Sequence, residues 1–469
     1  MNRSLIALLA ILVPAPIHAA DPTFLPDVAP VMVSRCVSCH GGVKARGEYK
    51  LDTFDNLLTP GASEAKPVVP GKPEESELYK RLVATDPEER MPPGDDPLTA
   101  DEIAAVKKWI AAGGKFDGAN RTASLKSILP PRKHPAAPEK YPTPAPVCAL
   151  AFSPDGKELA VGGVNEVTVW DAATGKLLRR LPKQPARIHS VAFSSDGKKV
   201  LIGGGTVGEY GEAALIDAAT GERERVFGPF DDLVLSVAFS PDGKRIAVGS
   251  ADRTARNFSL DTGVEMWRSA LHNDWVTGVA YSPGGKWVAT SSKDRTVKVL
   301  DAASGKLFTT YNGHRRQFAP HVGQFEVYAV QFDSTGTAFS VGGGAAVRAW
   351  NPVKAHDENG SAADMEERFK NIGHTRYLEY TAGKPVFSLV VGGGQVFSAG
   401  GDCAVRQHDA TTGKPVREYS GHADWIYALA VHPTSDRIAS GAFDGEVRVW
   451  NTKTGDTVTS FKAAPGWAK

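Results

Sequence analysis

The chain has 469 residues, with 54 Lys/Arg against 53 Asp/Glu, 42% hydrophobic residues and four cysteines. At about 150 residues per domain, this length fits three domains or one long repeat array. The near-zero net charge argues against a dedicated nucleic-acid binder, and so few cysteines exclude a disulfide scaffold. The charge is unevenly spread: residues 21–120 carry a net −5 and residues 121–469 a net +5. That asymmetry indicates two domains with different surfaces.

In chain order, Arg3 precedes nine apolar residues, Leu5 to Val13, then a proline-bearing stretch and the small residues Ala19 and Ala20. This is the pattern of a secretory signal peptide. Nine residues make a helix of about 14 Å, short of a bilayer core of about 30 Å. The expectation is a signal over residues 1–20, cleaved near Ala19 or Ala20. The mature chain would then be exported to the periplasm or cell envelope, with no transmembrane segment.

Residues 21–118 read as a compact, mostly helical unit. Thr99 and Glu102 form an S/T-x-x-E capping box and Gly113 supplies a stop. Between them Ile103, Val106 and Ile110 share one helical face, with Trp109 at its margin. The sharpest local signal is Cys36-Val-Ser-Cys39-His40, the C-x-x-C-H of c-type haem attachment. In that chemistry two thiols add to the haem vinyl groups and the adjoining imidazole becomes an axial ligand of the iron. A redox C-x-x-C pair needs a βαβ context that is missing here. A four-ligand zinc site needs further partners, and the next cysteine is Cys148. For the sixth ligand the unit offers Met32, four residues before Cys36 and expected to point into packing, and Met91. The latter sits in Arg90-Met-Pro-Pro93, where prolines stiffen a loop that can lean its thioether over the haem. An open sixth position is the alternative.

His40-Gly-Gly, Lys50-Leu-Asp-Thr53, Pro70-Gly-Lys-Pro-Glu-Glu-Ser76, Arg90-Met-Pro-Pro93 and Trp109-Ile110 occur in that order. Together they resemble the cytochrome c domain of planctomycete-type proteins over about residues 24–116. The resemblance implies a small all-α cytochrome c domain with one covalent haem c on Cys36 and Cys39, and with His40 and Met91 as axial ligands of its iron. His/Met ligation raises the reduction potential, and an iron without a displaceable ligand moves electrons and does little else.

Residues 119–146 read as a linker, with seven prolines between Pro130 and Pro146; such a stretch is extended and semi-rigid. From Val147 the chain repeats. Cys148-Ala-Leu-Ala-Phe-Ser-Pro-Asp-Gly-Lys157 has close copies starting at Ser190, Ser236 and Gly278. Asp171-Ala-Ala-Thr-Gly-Lys176 recurs at Asp217, Asp301 and Asp409. Marker glycines at 175, 221, 263, 305, 413 and 455 leave gaps of 46, 42, 42, 108 and 42 residues, the fourth gap spanning two units. Seven units with four strand signals apiece make a β-propeller over residues 147–469. Trp170-Asp171, Trp350-Asn351 and Trp450-Asn451, with Gly313-His314, Gly373-His374 and Gly421-His422, resemble the WD-repeat family. That resemblance implies buried pairs of His272 with Asp294, His374 with Asp402 and His422 with Asp444.

Trp275 and Trp425 each precede a first strand and belong near the rim of one face. Extra residues at Thr206–Glu212, Arg315–Phe325 and Thr375–Lys384 are expected to open on that face, and Pro352–Met365 on the opposite one. Arg315, Arg316 and His321 make part of the first face basic, a docking surface for the acidic haem unit or a redox partner. Cys148 and Cys403 belong to the first and sixth units and are expected to be separate buried thiols. Thr457–Lys462 should supply the last unit with its own fourth strand, so that the ring closes without strand exchange.

The leading functional reading is an exported electron-transfer cytochrome with the propeller as protein-docking scaffold, rather than a catalyst. One alternative is a haem oxidoreductase with a second redox centre in the propeller; another is a redox sensor that binds envelope partners. The histidines of the propeller look committed to structure, which weighs against the enzyme.

Overall fold

The computed structural model describes residues 22–467 apart from 42–44, 94–96, 131, 316–324, 362–372, 380–383 and 433. The signal segment 1–20 lies outside the described residues, as do Arg316, His321, residues 362–365 of the segment Pro352–Met365 and residues 380–383 of the segment Thr375–Lys384. The chain divides near residue 131 into two compact units.

The first unit is a small helical region. It contains α1 (Ala29–Arg35), α2 (Val37–His40), α3 (Phe54–Leu57), α4 (Glu77–Val83), α5 (Ala100–Ala111) and α6 (Leu125–Ile128). Helix α5 starts where the sequence says it should. The Thr99 hydroxyl accepts from the Glu102 amide at 3.2 Å, and the Glu102 carboxylate accepts from the Thr99 amide at 2.7 Å, satisfying two orphan donors of the first turn. Gly113, at φ 102°, follows the helix end. Trp109 departs from the expectation. It is 2% exposed and sits at the centre of the core, not its margin. Its ring lies 5.3 Å from Phe24 and 6.2 Å from Phe54, and its indole N–H donates to the Lys115 carbonyl at 2.9 Å.

The second unit is a seven-bladed β-propeller. Seven four-stranded antiparallel sheets each take four consecutive strands. They run over residues 150–182, 187–230, 234–269, 276–311, 327–379, 386–420 and 426–462, blades 1 to 7 here. Each strand buries one row of residues against the next blade, so single cores such as Leu159, Val161, Trp170, Val447 and Val449 are shared between blades 1 and 7. Blade 7 supplies its own fourth strand, Thr457–Lys462, and the ring closes without strand exchange.

Residues 132–146 lie along the propeller as an extended strap. The Tyr141 hydroxyl donates to the buried Glu166 carboxylate at 2.7 Å, and Arg180 Nε and Nη2 reach the same carboxylate at 2.6 and 2.8 Å. Further along, His134 Nε2 stands 2.6 Å from Glu212, and Arg132 stacks 4.0 Å from the Tyr210 ring centroid. The Tyr141 amide donates to the Pro465 carbonyl and the Val147 amide to Ala442, so the strap also spans the junction of blades 1 and 7. Prolines suit this path because an extended segment lying on a blade needs few of its own amides. The inserted segment after Trp350 forms α7 (Pro352–Ser361), which covers the outer strand of blade 4. His356 stacks on Phe308 at 4.4 Å and Asn359 donates to Thr309 Oγ1 and the Thr310 carbonyl.

The buried histidines hold turns against blades in only part of the expected pattern. His272 Nδ1 lies 2.8 Å from Asp294 Oδ2, and its Nε2 bonds Thr290. His422 instead has Glu446 at 3.2 Å and bonds Ser440 Oγ at 2.7 Å, while Asp444 pairs with Lys462. Asp402 pairs with Arg406, and His374 packs against Tyr377. The near-identical spacing of the motifs does not distinguish these partners, because two residues along a strand exchange one acid for the other.

Burial pushes His422 and His189 down to about 4 each, with the Arg187 cation adding to the effect at His189. A depressed histidine is neutral in the folded chain and protonates more readily when unfolded. Between about pH 6.5 and about pH 4 the unfolded chain therefore binds more protons, and stability falls as pH falls through that window. Thermal melts from pH 7 to pH 4.5 should lose on the order of 1 kcal/mol per pH unit per histidine. His189→Gln should flatten part of the slope; an unchanged melting temperature across the range would contradict it.

Candidate functional site

Helices α1 and α2 meet at Cys36, which is 9% exposed and belongs to the core of the first unit. The Cys36 amide closes α1 on the Met32 carbonyl at 3.0 Å, and the Cys36 carbonyl accepts from the amides of Cys39 and His40 at 3.1 and 2.9 Å. The backbone thus presents Cys36, Cys39 and His40 over a single turn. Met32 is fully buried in the core, as its place on the helix requires.

Beside this turn lies a cavity of about 210 Å³. Cys36, His40 and Met91 all line it, together with the apolar Leu51, Leu78 and Leu82, the ring of Tyr49, and the charged Arg46, Glu77 and Arg81. Three of the four residues singled out from the sequence therefore meet at one cavity across a separation of 55 positions in the chain. Met91 is placed by its amide, which donates to the Arg81 carbonyl at 2.9 Å and so ties its loop to the end of α4. Cys39 is half-buried on the same turn and does not line the cavity.

The histidine is held in one tautomer. Its Nδ1 lies 3.1 Å from the Tyr49 carbonyl, an acceptor only, so Nδ1 carries the proton. Nε2 is then the nitrogen with a free lone pair, an arrangement that orients imidazole ligands generally. Tyr49 is itself fixed by its hydroxyl, which donates to the Leu57 carbonyl at 2.8 Å. Burial pushes the Cys36 thiol up to about 12, outweighing the opposing charge of Arg35. It is a neutral thiol at pH 7, not a ready thiolate. Cys36, Cys39, Cys148 and Cys403 are all outside disulfides; Cys148 and Cys403 are half-buried, less enclosed than expected. Among the described residues no group of three or more His, Cys, Asp or Glu converges as a metal site, and no helix is long and apolar enough to cross a membrane.

On the propeller, Trp275 and Trp425 immediately precede inner strands of blades 4 and 7, and both adjoin the wide central channel. The Thr206–Glu212 insertion lengthens a hairpin of blade 2, with Val207 exposed at its tip. Thr375–Glu379 is no loop, since it belongs to the fourth strand of blade 5. The Arg315 guanidinium donates to the Asp294 carbonyl. Sequence reasoning missed the channel-lining aromatic residues Tyr328, Phe387 and Tyr427.

Residues 36–95 match the family model described as Planctomycete cytochrome C. Residues 221–259, 269–301 and 413–451 match that of the WD domain, G-beta repeat. The chain joins a planctomycete-type cytochrome c segment to a WD-repeat propeller. Among curated proteins it is similar to THO complex subunit 6 of Homo sapiens, 39% identical over 14% of this chain and 19% of the relative. THO complex subunit 6 of Arabidopsis thaliana is 34% identical over 14% and 18%, and pre-mRNA-splicing factor prp46 of Emericella nidulans is 35% identical over the same shares. The chain spans about a fifth of the length of these relatives.

The relatives are named for a complex subunit and a splicing factor, and none of the three is named a cytochrome. On that finding the expectation of an exported electron-transfer cytochrome is corrected, and with it the alternatives of a haem oxidoreductase or redox sensor. The expected haem c with its iron, the redox partner and the periplasmic location are corrected on the same ground. The physical reason for the error is local. A pentapeptide in 98 residues set the reading for the whole chain, whereas most of the chain is propeller.

Proposed function

We propose that this protein is a subunit of a multiprotein assembly, with the propeller over residues 147–469 as its docking body. The observation that carries this reading is a cluster of exposed aromatic rings at one mouth of the channel, where Trp425 is 48% and Phe443 51% exposed. Large apolar groups left in water next to one another mark interaction surfaces. The names of the curated relatives, a complex subunit and a splicing factor, support it. The chain isolated from its own cells at native level should travel in a particle well above its 49.8 kDa. Migration as a lone chain of that mass would contradict the reading.

The first unit carries a second role. Residues 21–118 form an all-α domain of the cytochrome c type, joined through the linker 119–146. In it Cys36, Cys39, His40 and Met91 make a ligand site. His40 Nε2 and the Met91 thioether are its donor atoms. What supports this is the convergence of Cys36, His40 and Met91 on one largely apolar cavity, with the imidazole tautomer fixed by Tyr49.

A further inference from the structure

The inner strand of every blade from 2 to 7 breaks register with its neighbour near its start. The shift falls between Ile188 and Ser190, Val276 and Gly278, Val327 and Ala329, Val386 and Ser388, and Ile426 and Ala428. In blade 3 the neighbouring strand marks it, Gly249 facing Ser236 and Ser250 facing Val234. A β-bulge inserts one extra residue and re-aims its side chain. The extra residues are His189, Leu235, Thr277, Tyr328, Phe387 and Tyr427, and all six line the central channel. The channel mouth is therefore written by one position per blade, and in blades 5, 6 and 7 that position is aromatic.

The aromatic arc extends outward. Phe387 stacks on Tyr427 at 4.8 Å, and lies 5.6 Å from both Tyr328 and Trp425; Tyr427 reaches Phe443 at 6.0 Å. Two carboxylates accompany it. Glu326 accepts from the Tyr328 hydroxyl at 3.1 Å, and Asp424 accepts from the Trp425 amide at 2.8 Å. Burial and then Asp424 push the Cys403 thiol up, while the exposed Lys384 acts the other way.

Blade 4 shows what such a tryptophan holds. Trp275 has the Lys293 ammonium 4.0 Å from its ring centroid. The Lys293 amide donates to the Trp275 carbonyl, and in blade 7 the Phe443 amide donates to the Trp425 carbonyl in the same way. Trp425 and Phe443 are thus the structural equivalents of Trp275 and Lys293. Blade 7 keeps the indole and lacks the cation. Among the described residues none takes its place, and Trp425 is left about half exposed beside Asp424.

We infer that the Trp425–Phe387–Tyr427 arc takes a cationic side chain, arginine or lysine, from an extended segment of a partner protein. The arc supplies ring faces, Asp424 supplies the countercharge, and the partner supplies what Lys293 supplies in blade 4. Cation–π attraction over tryptophan is the strongest of the aromatic series and adds to the exposed rings' tendency to leave water. This rests on the docking reading and names the partner's chemistry.

The test uses the full chain and three blocked pentapeptides, Gly-Gly-X-Gly-Gly with X as Arg, Lys or Glu, titrated by tryptophan fluorescence and calorimetry. The Arg and Lys peptides should bind at least about 5-fold more tightly than the Glu peptide. Phe443→Lys installs the cation that blade 7 lacks, so it should fill the site from within and weaken Arg-peptide binding by about 5-fold or more. Trp425→Ala should do the same. Equal binding of the Arg and Glu peptides, no measurable binding of any of them, or an unchanged affinity in Phe443→Lys would overturn the inference. So would tighter binding of a uridine decanucleotide than of the Arg peptide at the same rings. A native particle that survives in Phe443→Lys cells, with no peptide preference, would sink the cation site and leave the docking reading standing. A wild-type chain that travels alone would sink the docking reading itself.

Discussion

Trp109→Ala should unfold the helical first unit while leaving the propeller folded. Trp109 is 2% exposed and makes ring contacts with Phe24 and Phe54, which in turn meet Phe116 at 5.9 and 4.7 Å. Removing the indole empties the middle of that cluster and deletes its hydrogen bond to the Lys115 carbonyl. Truncating a buried tryptophan costs about 3–5 kcal/mol. A domain of this size is stable by only about 5–15 kcal/mol, so the loss is a large share of the whole. Calorimetry of the full chain should show the transition of the first unit weakened or lost and the propeller transition unmoved. Cys36, buried in the same core, should become open to alkylation in the native chain. A shift under about 1 kcal/mol would mean that the aromatic cluster is not what holds this unit together.

Arg180→Ala should be as damaging to the propeller's first blade. Glu166 is fully buried, and its carboxylate is held by the Arg180 guanidinium at two points and by the Tyr141 hydroxyl. Arg180 also donates to the carbonyls of Pro138 and Glu139, so one guanidinium ties the strap to the blade. Deleting one partner of a buried ion pair strands the other charge, at a cost of about 3–5 kcal/mol. Tyr141→Phe removes one hydrogen bond to that carboxylate and should cost less, about 1.5–3 kcal/mol. Replacing both charges, Glu166→Gln with Arg180→Met, should recover most of the stability, because no unpaired charge is left. Limited trypsin digestion gives an independent readout, since Lys133 and Lys140 lie in the strap. Cleavage there should accelerate most in Arg180→Ala and less in the double variant, which loses the same strap bonds but strands no charge. Cleavage as slow as that of the unaltered chain in both variants would show that the strap is held by something else.

Much of the fold is legible in the sequence because it repeats. The marker glycines give seven units, and the capping box at Thr99 fixes the start of α5. What repetition hides is whatever differs between copies at one position. The bulge residues His189, Leu235, Thr277, Tyr328, Phe387 and Tyr427 fall at the same register of successive repeats, yet their chemistry varies. Laid over one another, the repeats would have exposed the aromatic run in the last three. The strap is hidden for another reason. An extended proline-rich segment has no period, so nothing in residues 132–146 announces that Tyr141 and His134 seek Glu166 and Glu212. The partners of the buried histidines miss by two residues at His422, because Asp444 and Glu446 flank the same turn.

In the first unit the sequence reading picked out Cys36, His40 and Met91, and the fold brings these three to one cavity. The role drawn from them for the whole chain went further than those residues reach. The similarity to THO complex subunit 6 and prp46 concerns about a seventh of this chain.

The docking account is tested most directly on the full chain isolated at native level from its own cells and sized by gel filtration, beside Trp425→Ala. The account predicts a particle well above 49.8 kDa for the unaltered chain, and a smaller one for Trp425→Ala, whose half-exposed ring lies at the channel mouth. Migration of the unaltered chain alone, at its own mass, would contradict it.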